Sequence, residues 1–354
     1  MSIFKGDNIS IDIFGESHGN AIGVVINGLP AGEHINNTEL MEFLDRRAPG
    51  RNAFSTSRNE SDAPNFLSGI MNGLTGGTPV CAIIYNSDQH STDYESIKNI
   101  PRPGHADYSA HVKFSGVADM RGGGHFSGRL TAPLCIAGGI AKQILKSRGI
   151  TVVSHISSIA GINDKKFADS EFNADLATIE NLNVIDSSVA EQMKECILSA
   201  KADGDSVGGT VECMITGLPA GLGGLIFDGV ESRISAMIFG IPAIKGIEFG
   251  NGFAASELPG SKNNDAFCVE GSRIFTALNN HGGLLGGITT GMPIVFRVAV
   301  KPTPSIAKTQ NTVDLNTGGE IKINIKGRHD PCIVPRALPC VESVAALVAL
   351  DLVL

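Results

Sequence analysis

Short apolar runs rich in β-branched residues, each stopped by glycine or proline, recur along the whole chain and narrow its fold more than any other feature. "ISIDIFG", "AIGVVINGLP", "TPVCAIIYN", "ITVVSHI", "GTVECMITGLPAG", "MPIVFRVAV" and "EIKINIK" read as strands. Segments of helical period lie between them. "NTELMEFLDRR" is a helix with Asn37 or Thr38 as N-cap and its arginines in the last turn, where cations suit the helix dipole. A second helix runs from a Ser127 cap to a stop at Gly149. "DSSVAEQMKECILSAKADGDS" opens on a Ser188–Glu191 capping box and sets Val189, Met193, Ile197 and Leu198 on one face. A further helix is expected near Asp228–Phe239. Val341–Leu354, apolar but carrying Glu342 and Asp351, reads as a terminal helix with one buried face. Strands interleaved with helices make the fold class α/β. Residues 160–182 are polar and weakly patterned, a surface excursion. "INGLPAG" near Ile26 and "ITGLPAG" near Ile215 are nearly one phrase, which is either chance in so short a match or the mark of two similar half-folds. With no linker and no repeat of about 20–50 residues, the 354 residues are expected to form one compact domain, 1–354.

Composition removes several functions. Seven cysteines are scattered without a CxxC pair, so neither a zinc site nor a disulfide framework is indicated, and no HxxxH helix or carboxylate cluster offers a metal site. A net charge of −8 argues against nucleic acid and membrane surfaces as partners. No segment has the roughly 18 uncharged apolar residues of a membrane span, and the start lacks a signal-peptide pattern, so a cytoplasmic protein is expected. An anionic ligand therefore needs cations gathered locally. "DRRAPGRNAFSTSR" supplies Arg46, Arg47, Arg51 and Arg58; Arg102, Arg121 and Arg129 lie in "RPGHADYSAHVKFSGVADMRGGGHFSGR".

Chemistry concentrates in glycine-rich loops. Gly122, Gly123 and Gly124 let backbone N–H groups crowd a ligand just before a helix start, which suits a phosphate or an oxygen-rich ring system. "FGESHG" sets His18 between glycines at a strand end, and "RPGHAD" sets His105 in a proline-bounded turn with Asp107 within reach to orient or charge the ring. "NNHGGLLGGITTGMP" is a second glycine loop, "KPTPSI" adds a cation and hydroxyls after a strand, and "KGRHDPC" brings Arg328, His329 and Asp330 into one turn. Imidazoles titrate near neutrality and a neighbouring carboxylate tunes them, so these are parts for holding a polyanion and moving a proton. Neither a P-loop nor a strand-embedded GxGxxG is present, which removes ordinary nucleotide cradles.

Taken in order, "FGESHG", "DRRAPG", "LSGIMNGLTGGTPV", "NSDQHSTDY", "RPGHADYS", "RGGGHFSGRLTA", "GDSVGG", "GLPAGLG", "NHGGLLGGI", "KPTPSI" and "GRHDPC" resemble the chorismate synthase family over nearly the whole chain, in its monofunctional form without an added flavin-reductase domain. The resemblance implies a single large domain, a β-α-β sandwich of antiparallel sheets flanked by helices, assembled as a homotetramer. It implies a lyase that eliminates phosphate from 5-enolpyruvylshikimate 3-phosphate to give chorismate, in a 1,4-anti sense, using reduced FMN without net redox change. It implies His18 and His105 as acid histidines, one at the leaving phosphate and one balancing charge at the flavin, with Asp330 serving proton removal from the ring. FMN is implied against His125, Phe126 and Ser127, Ala243, Gly286, the run Lys301, Pro302, Thr303, Pro304 and Ser305, and Arg328. Arg47, with Arg51, is implied at the phosphate of the substrate or of a reducing NADP. The chain departs from the family at Ala48 and Ala53, at His125, Phe126 and Leu130 where the family often has arginine, serine and glutamate, and at Asn264. Backbone rather than side-chain contacts therefore carry over at 125 and 126. Two other readings stay open at this point: a flavin oxidoreductase with net hydride transfer, and a non-enzymatic anion-binding relative.

Overall fold

The structure is a computed structural model and describes residues 2–50, 62–86, 99–169, 182–325 and 329–354. Two five-stranded antiparallel sheets dominate it. The first contains β1 (Ile3–Lys5), β2 (Ser10–Gly15), β3 (Ala21–Asn27), β4 (Asn65–Ser68) and β5 (Val80–Tyr85) in the order β1-β2-β3-β5-β4. The second contains β6 (Thr151–Ile159), β7 (Ile162–Asn163), β8 (Gly209–Thr216), β9 (Ile244–Phe249) and β10 (Ile294–Val300) in the order β7-β6-β8-β10-β9. Alternation sets which face is dry. On β10, Ile294, Phe296, Val298 and Val300 are buried while the residues between them are only half-buried.

The orders 2-3-5-4 and 6-8-10-9 are the same arrangement, and each sheet's second strand in that arrangement ends in the repeated phrase. Gly28 and Gly217 turn the chain at φ 87° and 89°. Leu29 and Leu218 follow them into the core, at 5% and 4% exposure. The recurrence thus marks two similar half-folds.

Helices α1 (Asn37–Arg47), α2 (Asp107–Lys113), α3 (Thr131–Ser147), α4 (Ser187–Ala202), α5 (Val230–Ile238) and α6 (Val334–Val353) complete the frame. The resulting fold is the mixed α/β arrangement expected. Its central helices lie between the sheets: α3 rests on β3 and β5, α6 rests on β6 and β8, and the two helices pack on each other within one continuous core. Cys135 on α3 faces Cys340 on α6 at 3.9 Å, and Gly138 faces Ser343, where a Cβ on the glycine would lie 2.2 Å from the serine. Equal steps along both helices mean that they run in the same direction. Their N-termini therefore emerge on the same side of the molecule.

Four sequence expectations shift. The terminal helix begins at Val334 and is buried on all sides from Ala337 to Asp351, because α1, α3, α5 and the second sheet surround it. Its polar positions Glu342, Ser343 and Asp351 are themselves buried, so polarity marks no solvent-facing side of this helix. α1 is capped by Asn36, whose Oδ1 accepts from the N–H groups of Thr38 and Glu39 at 2.9 and 3.2 Å, and α4 by Asp186 rather than Ser188. Ser127 caps a short 3-10 turn, Gly128–Leu130, ahead of α3. Most of the expected surface excursion, 170–181, lies outside the described residues.

Candidate active site

The glycine triplet adopts backbone angles that other residues rarely take. Gly122, Gly123 and Gly124 have φ of 61°, 93° and 54°. Two of them are also places where imidazoles rest. A Cβ on Gly122 would stand 2.1 Å from Cε1 and Nδ1 of His18, and one on Gly123 would stand 3.2 Å from Nε2 of His105. The missing side chains are thus the room that the two rings occupy.

Each ring arrives from a separate turn. The loop after β2 is fixed to the triplet by the Ser17 N–H, which donates to the Gly124 carbonyl at 3.2 Å, and it buries Ser17 and His18. His105 sits in the turn before α2, where its N–H donates to the Arg102 carbonyl at 3.1 Å and its Nδ1 meets Oδ1 of Asp107 at 2.6 Å. Burial works to raise the Asp107 carboxyl, but hydrogen bonds from Arg102 and His105 outweigh it and hold the group below the usual carboxylate range.

The Lys301–Ser305 loop closes on the same turn. Lys301 Nζ donates to the Gly104 carbonyl, and Arg102 Nη1 donates to Oγ of the buried Ser305 at 3.3 Å. Burial, then the neighbouring Lys245, lowers the Lys301 ammonium from its ordinary value. Ala243, whose carbonyl accepts from the Lys301 N–H at 3.0 Å, is a non-glycine residue at φ 73°. Oγ1 of Thr303 is buried with no hydrogen-bond partner among the described residues. Gly286 turns the Leu284–Thr289 hairpin with open space where a side chain would stand.

The arginines gather where the helix ends meet. Arg47, at the end of α1, donates through Nε to Oδ2 of Asp62 at 2.7 Å and reaches the Gly128 carbonyl at 3.4 Å and Thr131 Oγ1 at 3.5 Å at the start of α3. Arg129 pairs with the other oxygen of Asp62 and donates to Asn86 at 3.2 Å. Burial would raise Asp62, but Arg47 and Arg129 overcome it and hold the carboxyl low. Two guanidiniums thus meet on the Asp62 carboxylate. Asp330, expected as a proton acceptor, pairs with Arg336 in the first turn of α6, and Arg336 Nε donates to the Arg47 carbonyl at 2.7 Å.

His18, His105 and the 301–305 loop are therefore in one cluster, with Arg47 and Asp330 joined to each other through Arg336. The expected contacts at 125–127 divide. His125 turns its ring to the Gly15 carbonyl at 2.8 Å and to Ser2, and Phe126 lies beside Phe114 with 37% exposure. Ser127 accepts from the Arg129 N–H at 3.3 Å. Arg51 and Arg328 lie outside the described residues. Asp62 had no sequence signal, because its partners come from distant segments. Arg102 and Arg129 were visible only as members of a basic group. A cavity of about 340 Å³ abuts the cluster, lined in part by Arg102, Asp107, His111, Asp119 and Arg121. Among the described residues no group of His, Cys, Asp and Glu could hold a metal ion.

Comparisons with known proteins identify the family. A family model described as chorismate synthase matches residues 9–354. A chorismate synthase of Thermococcus gammatolerans is 49% identical over 347 residues, 98% of this chain and 96% of that protein. One of Dehalococcoides mccartyi is 45% identical over 354 residues, 100% of this chain and 97% of that protein. A crystal structure of a chorismate synthase superposes with a TM-score of 0.73 at 27% identity, covering 98% of this chain and 92% of that one.

Proposed function

The chain belongs to the chorismate synthase family, and from that premise we propose how its own residues carry the family's reaction, loss of phosphate from 5-enolpyruvylshikimate 3-phosphate to give chorismate. The protein is a carbon–oxygen lyase. The observation that carries the assignment of roles is the placement of His18 and His105 on neighbouring glycines of one loop. Two imidazoles there can protonate or stabilise a departing phosphate and balance charge on a bound partner. Arg47, which meets Arg129 on the Asp62 carboxylate beside the start of α3, supplies positive charge for a phosphate, with Arg51 assigned by resemblance alone. Asp330 takes the proton lost from the substrate ring.

The residues present fit a flavin. Thr303 Oγ1 lacks a partner that a ligand could supply, Lys301 and Lys245 form a like-charged pair that an anion would relieve, and Gly286 leaves open space. The backbone of 125–127, Ala243, Gly286, Lys301 to Ser305 and Arg328 would hold FMN. Reduced FMN, when bound, would supply transient electron density that eases carbon–oxygen cleavage. Gly123 and Gly124, both buried, would exclude water on the side of the site where the histidines rest. Residues 1–354 act as one catalytic domain, which associates as a homotetramer. Exposed Leu225, Ile226, Phe227 and Phe253 supply apolar surface for that association. Among the described residues no helix is long and apolar enough to cross a membrane, and we place the enzyme in the cytoplasm.

The test is an anaerobic assay with dithionite-reduced FMN in catalytic amount and the phosphorylated substrate. Chorismate and phosphate should appear in equal amounts over many turnovers per flavin. Stoichiometric consumption of reductant would instead identify an oxidoreductase, and absence of chorismate would overturn the assignment.

A further inference from the structure

Asp107 is saturated with donors. Its Oδ2 accepts from the Arg102 N–H at 3.0 Å and from Arg102 Nε at 2.7 Å; its Oδ1 accepts from Arg102 Nη2 at 2.8 Å and lies 2.6 Å from His105 Nδ1. Nη2 of Arg102 also lies 3.1 Å from the same Nδ1. Only one of these two contacts with Nδ1 can be a hydrogen bond for a given tautomer. If Nδ1 carried a lone pair, two acceptors would face each other at 2.6 Å, inside the range of a strong charge-assisted bond and untenable for two lone pairs. If Nδ1 carries the proton, the cost is a donor–donor approach at 3.1 Å to a guanidinium already engaged with the carboxylate. The carboxylate contact decides, and Nδ1 is the protonated nitrogen.

We propose that Arg102 and Asp107 form a positioning pair that holds His105 with its Nδ1–H on Asp107 and its Nε2 presented to the glycine loop, and that Arg102 couples this setting to the Lys301–Ser305 loop. The inference rests on the reading of His105 as an acid histidine and says how that histidine is set. The ring's other nitrogen is the one that faces Gly123, so the tautomer determines what the cleft is offered. Arg102 pairs with Asp107 through its Nε and Nη2 and so fixes the carboxylate to which the ring is bonded. Its remaining arm, Nη1, reaches Ser305, so movement of that loop is felt at the ring. Lysine could supply the charge but not the three-way fork. Neither residue has to touch a ligand for this role.

The experiment uses the full chain labelled with 15N-histidine, free of flavin and substrate, with the His105 signals identified by their loss in His105→Gln. Long-range 15N–1H correlations of the neutral ring should show the Nδ1–H tautomer. In Asp107→Ala the Nε2–H form should appear, and turnover should fall roughly 10²-fold with KM changed less than about threefold. Arg102→Lys, which keeps the charge, should shift the tautomer balance the same way with a smaller loss in kcat, and it gives the same readout should Asp107→Ala fail to fold. An Nε2–H ring in the parent protein, or a tautomer indifferent to both substitutions, overturns the proposal. The tautomer is read without the reaction. A parent protein that makes no chorismate yet shows the expected ring state would sink the functional assignment and leave the positioning pair standing.

Discussion

His18 and His105, 87 residues apart in the chain, rest against adjacent residues of a single loop, His18 on Gly122 and His105 on Gly123. The loop works as a spacer whose width is set by the absence of two side chains. Gly122→Ala must displace the His18 ring, since a methyl would stand 2.1 Å from it, and must also hold φ at 61°. A misplacement of about 1 Å at a reacting group costs on the order of 10²-fold in rate, so turnover should fall at least that far. Gly260→Ala, where a Cβ meets nothing within 4 Å, is the control and should keep parental turnover. Steady-state assays of both variants decide, and parental rates in Gly122→Ala would remove His18 from the site.

His105→Ala should lower kcat by roughly 10²-fold, the usual contribution of a positioned acid or base. His18→Ala should do the same. Because both rings lean on one loop, the double variant should lose less than the product of the single losses. A strictly multiplicative loss would mean that the two act independently, against the shared geometry.

The sequence made the strands and α1 readable because each apolar run has one period and one stop. His18 and His105 stood out because glycine or proline bounds them. What escaped was set by chain segments meeting from far apart. Asp62 lies between Arg47 and Arg129, which are 15 and 67 residues away, and nothing near residue 62 announces either partner. The cap of α4 fell to Asp186 because three candidate caps are contiguous there and only backbone angles, φ −98° and ψ 105° at Asp186, separate them. The enclosure of α6 was hidden because its carboxylates, Glu342 and Asp351, are met by Arg46, Lys142 and Arg233 from α1, α3 and α5, which nothing near them in the sequence announces.

The matching turns of the two half-folds should fail alike. A Cβ on Gly28 would lie 1.8 Å from the Asn8 carbonyl oxygen, and one on Gly217 would lie 2.3 Å from that of Gly149. Each substitution also strains a left-handed backbone, a cost of about 1–3 kcal/mol by itself. Gly28→Ala and Gly217→Ala should therefore each lower the urea midpoint by comparable amounts, with the steric clash adding to the strain. Were one turn tolerant and the other not, the equivalence of the half-folds would stop at topology.

Glu342, buried in the middle of α6, is the carboxylate on which acid stability should turn. Arg46 donates to it through Nη1 and Nη2 at 3.0 and 2.6 Å, Ser154 Oγ donates at 2.8 Å, and Lys142 completes the set. Burial would raise its pKa, but the charges of Arg46 and Lys142 prevail and bring it from 4.5 to about 2. The folded group thus holds its proton less tightly than the unfolded one. The stabilisation is fully present above about pH 4.5 and drains away as pH falls towards 2, a span worth about 3 kcal/mol. Glu342→Gln leaves Arg46 and Lys142 without their shared counter-charge in the interior and should destabilise by about 3–5 kcal/mol at neutral pH. It should also flatten the decline between pH 4.5 and 2, because the titrating group is gone. Urea unfolding of parent and variant at intervals across that range reads both effects, and an equal pH slope in the two proteins would show that acid sensitivity resides in other carboxylates.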